Sequence, residues 1–178
     1  MAFMAHLTPL SYCDSKMQGI FLDKAMKSNA PTDFLIAYVT IGDRKLLHRC
    51  VFIDRTDVNA KTKDGTAALH VAARVGNHHV VRWFLEETEA FINVRNSAGS
   101  TPLHEACKGG HFKTVKVLAE FGADFQIRRN LDRMTPYDVA AYYGHIRICT
   151  WLEGFRVNVS KMPKVVQEKQ ATPRPETS

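Results

Sequence analysis

The chain has 178 residues, 45% of them hydrophobic and 24% charged, and a formal net charge of +6. That is the make-up of one folded domain or one repeat array, and no apolar run approaches the ~20 residues of a membrane-spanning helix. The positive excess is uneven: +1 over residues 1–31, +2 over 32–155 (16 basic, 14 acidic) and +3 over 156–178. The central region therefore lacks the one-sided basic footprint of a nucleic-acid-binding domain.

At the N-terminus, Met1 to Leu10 has no cationic start and no continuous apolar stretch, so it does not read as a secretory signal. Cys13, Cys50, Cys107 and Cys149 are widely spaced, with no CxxC pair. They read as reduced thiols of a cytoplasmic protein, with the nucleus also open. Ser15 and Gln18 have capping-box spacing, followed by Ile20, Phe21, Leu22, Ala25 and Met26. This predicts an amphipathic helix over residues 16–28. Two roles stay open for it: a cap over the first repeat, or a separate partner-binding or dimerising helix.

From residue 32 the chain repeats itself. Gly42, Gly76, Gly110 and Gly144 are spaced by 34 residues, and Ala72, Ala106 and Ala140 keep the same interval. So do Val81, Val115 and Cys149, and Phe84, Leu118 and Leu152. Each unit reads as two short helices. The first is predicted over residues 67–75, 102–108 and 136–143, with Pro102 and Pro136 in the first turn and Thr101 and Thr135 before them as caps. Glycine ends it. The second is predicted over 78–87, 111–121 and 145–153, with apolar residues at i, i+3, i+4 spacing. Polar turns such as Lys61–Gly65 and Arg95–Gly99 join the units.

The run from Gly99 through Thr101, Pro102, Leu103 and His104 to Ala106, Gly110 and His111, then Gly122, Ala123 and Asp124, resembles an ankyrin repeat. Asn59 and Asn93 also match that family's loop entry. The spacing is one residue over the usual ~33, and the extra residue is placed after Cys50, after Phe84 and around Asn130 and Leu131. The resemblance implies an all-α fold, an ankyrin-repeat solenoid of stacked helix–turn–helix units with β-turn loops. About four repeats are expected, over residues 32–60, 61–95, 96–129 and 130–155. The first departs most, with Asp33 to Ile36 in place of the threonine–proline–leucine–histidine motif. The last has Tyr137 and Asp138 for leucine and histidine. Residues 1–31 then form a flank with a capping helix, and 156–178 a basic tail that reads as disordered from about Ser160.

No GxSxG, HExxH or glycine-rich phosphate loop occurs, so catalysis by the chain itself is not expected. His104 with Cys107, and His145 with Cys149, have the spacing of two ligands on one helical face. Without a third ligand they read instead as core and inter-repeat residues, and no metal or cofactor is expected. His78, His79, Arg82, Lys113, Lys116 and Arg147 fall on the second helices and read as a solvated outer face. The resemblance implies that a protein partner binds the concave side made by the loops and the first helices. Those positions are Lys61, Lys63, Arg95, Asn96, Arg128, Arg129 and Asn130 in the loops, and Val71, Arg74, Glu105, Lys108, Tyr142 and Tyr143 on the helices.

Five loop cations against Asp64 and Asp132 suggest an acidic or phosphorylated segment with an apolar anchor near Tyr142; ordinary solubilising charges are the competing reading. An adaptor, scaffold or inhibitor is the first functional expectation. A regulatory or targeting subunit or domain of an enzyme complex, transcriptional regulation included, is the second. The oligomeric state stays open.

Overall fold

The structure is a computed structural model that describes residues 31–157. The helix predicted over 16–28 and the tail beyond residue 157 lie outside the described residues. The chain divides into two compact units, with the boundary between Asp57 and Val58.

In the first unit, α1 (Pro31–Ile41) packs on α2 (Arg44–His48), which runs directly into a π-helical turn, Arg49–Ile53. Asp43 starts α2, its carboxylate accepting from the Lys45 and Leu46 backbone N–H groups at 2.8 and 3.4 Å. Leu35, Val39, Leu47 and Cys50 are buried. The extra residue expected in a loop after Cys50 is instead absorbed inside the helix. A π turn widens the helix by one residue without leaving its axis. Helix α1 also takes in Pro31, one residue into the stretch read as flank.

The second unit holds three helix pairs. They are α3 (Ala68–Val75) with α4 (His78–Glu87), α5 (Pro102–Lys108) with α6 (Phe112–Glu120), and α7 (Pro136–Tyr142) with α8 (Ile146–Val157). First helices stack on first helices, α3 on α5 on α7, and second on second, α4 on α6 on α8. The alanines explain the close stacking: Ala72, Ala106 and Ala140 are wholly buried between the first helices. Phe84, Leu103, Val115, Leu118 and Ile148 are no more than 1% exposed and fill the space between the two helix layers. No strand forms among the described residues; the Lys61–Ala67 pair is an isolated bridge at the base of one loop.

Three local differences from the expected helices have physical causes. Helices α6 and α8 begin one residue later than predicted, because His111 and His145 turn their rings back to the preceding repeat. Helix α8 runs four residues past the predicted end. Gly122, after α6, takes φ +86 and breaks the helix, whereas Gly154 keeps a helical φ and the chain continues through it. Cys149, expected in the core, is half-buried, and Ala141 is exposed where Ala73 and Cys107 are fully buried. Among the described residues no further repeat follows to cover this end.

Candidate partner-binding face

The repeats are held in register by side chains that reach from one unit to a backbone group of the next. The Nδ1 atoms of His70 and His104 accept the backbone N–H of Ala67 and Thr101, each at 3.2 Å. That fixes the proton on Nε2, which donates to the carbonyls of Ser100 (2.9 Å) and Met134 (3.1 Å) in the following loops. Burial holds both imidazoles below their ordinary pKa, His104 down to about 4. In the last pair Asp138 replaces the histidine. Its carboxylate accepts from the Thr135 N–H at 2.8 Å and hydroxyl at 2.7 Å, closing a capping box on α7. The expected cap from the Thr101 hydroxyl takes a different form, since that oxygen lies 2.9 Å from His104 Nδ1.

A second pair of histidines points the opposite way. His111 Nε2 reaches the carbonyl of Arg74 at 2.9 Å, and His145 Nε2 that of Lys108 at 3.1 Å. Each ring lies against a glycine of the preceding repeat. A Cβ on Gly76 would sit 2.4 Å from the His111 ring, and one on Gly110 2.6 Å from the His145 ring. The 34-residue glycines therefore do two jobs: φ values of +81 and +71, and room for a histidine.

The His–Cys pairs at metal-ligand spacing are engaged in this framework. Both nitrogens of His104 are hydrogen-bonded, and burial pushes the Cys107 thiol up, toward its neutral form. Among the described residues no group of three or more His, Cys, Asp or Glu side chains could hold a metal ion.

The loop cations lace the turns together. Lys61 Nζ donates to the Arg95 carbonyl at 3.2 Å. Arg95 donates to the Arg128 carbonyl at 3.0 Å and to Asn130 Oδ1 at 2.7 Å, although its buried Nε–H has no acceptor among the described residues. Arg128 donates to the Arg133 carbonyl at 3.0 Å, and Arg129 pairs with Asp132. Backbone bonds reinforce the ladder: Ser97 N–H to the Asp64 carbonyl at 3.1 Å, and Asn130 N–H to the Ala98 carbonyl at 2.9 Å. Asn96 accepts the Ser100 N–H at 2.9 Å and so braces its own turn. Of the five cations, Lys63 makes no such contact among the described residues. The Lys61, Lys63, Arg128 and Asn130 side chains remain exposed, and Arg95, Asn96 and Arg129 are half-buried.

On the first helices, Arg74, Lys108 and Tyr142 recur at 34-residue intervals and are all exposed. Tyr142 is 72% exposed, and the Tyr143 ring beside it packs edge-on at 5.2 Å with the Lys108 ammonium 5.9 Å from its centroid. Glu105 is half-buried. Val71, expected on this face, is instead 4% exposed and belongs to the core, as does Val139 two repeats on. That position points at the neighbouring helix rather than outward. Two apolar residues that sequence reasoning passed over are exposed in the last repeat, Leu131 in the loop before α7 and Ile146 at the start of α8, 87% and 73% exposed. The run Asn130, Leu131, Asp132 offered a signal for the first, an apolar residue between turn formers. A cavity of about 280 Å3 opens beside Arg128, lined by Phe125, Tyr137 and Leu152 and bounded by Glu153, to which the Tyr137 hydroxyl donates at 2.5 Å.

Helix pairs stacked through one repeated set of side-chain ties, with exposed turns along one edge, define a helical-repeat solenoid that presents surface. A family model of ankyrin repeats matches the chain in three copies, over residues 35–129 and 90–161. The chain belongs to the ankyrin-repeat family, whose repeats are non-catalytic modules that bind other proteins. No curated protein sequence matches it significantly.

Proposed function

We propose that the protein is an adaptor or inhibitor that receives an acidic or phosphorylated segment of a partner on the face made by its loops and first helices. The observation that carries this reading is the exposed row Arg74, Lys108 and Tyr142, with Tyr143 beside its aromatic end. Cations along the row would meet carboxylates or phosphates, and the tyrosines would seat an apolar anchor; Arg and Tyr are the residue types that most often dominate interface energy. The ladder of loop bonds supports the reading from another side, because a surface already ordered loses little freedom on binding. Lys61, Lys63 and Arg128 present exposed stems on the same edge, while Arg95 and Arg129 serve mainly to hold it. Free thiols at Cys50, Cys107 and Cys149 are compatible with a cytoplasmic or nuclear setting.

The test is capture from cell lysate by the intact chain and by a variant carrying Arg74→Glu, Lys108→Glu and Tyr142→Ala. All three side chains are exposed, so circular dichroism should stay unchanged. Proteins retained by the intact form and lost by the variant support this face. Identical capture by both forms rejects it.

A further inference from the structure

The second helices carry a feature that their reading as a solvated face does not explain. At the start of α6 lies a cavity of about 440 Å3. Its cationic lining is Lys113, Lys116 and Arg147, with His78 alongside, and among the described residues no carboxylate contributes to it. Lys113 and Arg147 occupy the same position of successive second helices, 34 residues apart. The Arg147 guanidinium is held over the Phe112 ring, 4.3 Å from its centroid, so that cation is positioned before any ligand arrives. Desolvation, and then the positive charges of His79, Lys113 and Arg82, disfavour protonation of His78. The three cations of the lining make the local field positive.

Two observations separate this cavity from an ordinary basic surface. Helix α6 spans nine residues and has no side-chain cap, whereas Asn77 caps α4 by accepting the Val80 N–H at 3.2 Å. The positive end of its dipole faces the cations without a counter-charge. Thr114, in the first turn of α6 and part of the cavity lining, is 0% exposed, and its hydroxyl has no hydrogen-bond partner among the described residues. A buried hydroxyl without an acceptor is disfavoured unless something supplies one.

We propose that this cavity binds the phosphate group of a phosphorylated peptide. Three cationic side chains and the first-turn N–H groups of α6 match a dianion with three acceptor oxygens, and a small shift of that turn would let the Thr114 hydroxyl, fully buried without ligand, donate to it as well. A carboxylate, with two oxygens and one charge, would leave donors unmet. A nucleic-acid strand would need a continuous basic stripe with stacking rings, and here Phe112 is already covered by Arg147. The site lies on the second helices, apart from the loop-and-first-helix row, and does not depend on the function proposed for that row.

The first probe is inorganic phosphate, titrated at constant ionic strength against chloride while the backbone amides of α6 are followed by NMR. Saturable shifts at Lys113 and Thr114 are expected. They should weaken about tenfold or more in a Lys113→Ala, Arg147→Ala variant, since each removes a charged hydrogen bond. Thr114→Val keeps the shape of the buried side chain and removes only the hydroxyl. It should fold normally and bind several-fold more weakly. A phosphoserine peptide should bind more tightly than inorganic phosphate and lose its affinity on dephosphorylation. Absence of saturable shifts, or shifts of equal strength in both variants, would overturn the site. Binding to phosphatidylcholine vesicles carrying a phosphoinositide, without binding to the phosphopeptide, would overturn the peptide assignment.

Discussion

Mild acid should loosen the repeat stack well before Asp64 is protonated. In the folded chain burial holds His104 at about 4, against 6.5 for the free side chain. Arg129 and Arg95 push the same way and Asp132 pushes against them. The folded value is the lower one, so the unfolded chain takes up the proton first. The contribution of neutral His104 is complete above about pH 6.5 and is lost as the pH falls toward 4. One pKa unit is worth about 1.4 kcal/mol, so roughly 3 kcal/mol should disappear across that window. The structural reason is direct: a proton on Nδ1 would face the Thr101 N–H, donor against donor. His70 shifts in the same direction and steepens the slope. Asp64 does not interfere, because the hydroxyls of Thr62 and Thr66 hold its carboxyl below the usual 3.8. The assay is the urea midpoint in buffers between about pH 7 and about pH 4.5, with the His104 ring followed by NMR. His104→Asn should be weaker at neutral pH and show a flatter slope. A midpoint independent of pH, or a His104 ring that titrates near 6.5, would refute the argument.

Further outcomes follow from packing and conformation. Leu118→Ala truncates a fully buried side chain of α6 and should cost about 2–5 kcal/mol in chemical denaturation. Gly110→Ala puts a Cβ into the His145 ring at a positive φ; a loss of about 1–3 kcal/mol is expected, with the His145 bond to Lys108 broken. Arg95→Ala removes two loop ties at the surface and should change global stability by about 1 kcal/mol or less, while speeding hydrogen exchange at Asn130. Tyr142→Ala, at a residue 72% exposed, should stay within about 0.5 kcal/mol of the parent, so that any effect on capture reflects binding.

The helices were legible because their signals are local. Thr135 with Pro136 marks the start of α7, and Gly76 the end of α3, without reference to anything distant. The ends of α5 and α4 fall where composition alone puts them. What could not be read is what depends on reach between repeats. Lys61, Arg95 and Arg128 look alike in sequence as loop cations, yet Lys61 and Arg95 reach main-chain carbonyls of the next repeat, which only the spacing of stacked units makes possible, whereas Arg128 reaches the Arg133 carbonyl within its own loop. Val71 and Arg74 sit three apart on one helix, and the turn between them decides which faces a neighbour and which faces outward. Thr114 resembles any helical threonine; its burial and its lack of an acceptor emerge only when α4 and α8 close around α6. The π turn after His48 was unreadable for a related reason. An inserted residue announces itself in the spacing, but whether a loop or a helix absorbs it depends on packing.

The side-chain ties give the second unit interchangeable parts. His70 serves Ser100 as His104 serves Met134, His111 lies on Gly76 as His145 lies on Gly110, and Lys61 stands to Arg95 as Arg95 stands to Arg128. Excising residues 77–110 would therefore join Gly76 to His111 and bring His70 to the Met134 carbonyl, Arg74 to the His145 ring and Lys61 to the Arg128 carbonyl. Each of these fittings would find a mate of the kind it lost. Length can thus vary in whole units without a new joint, whereas a deletion of any other length would leave both sets of histidines without their mates.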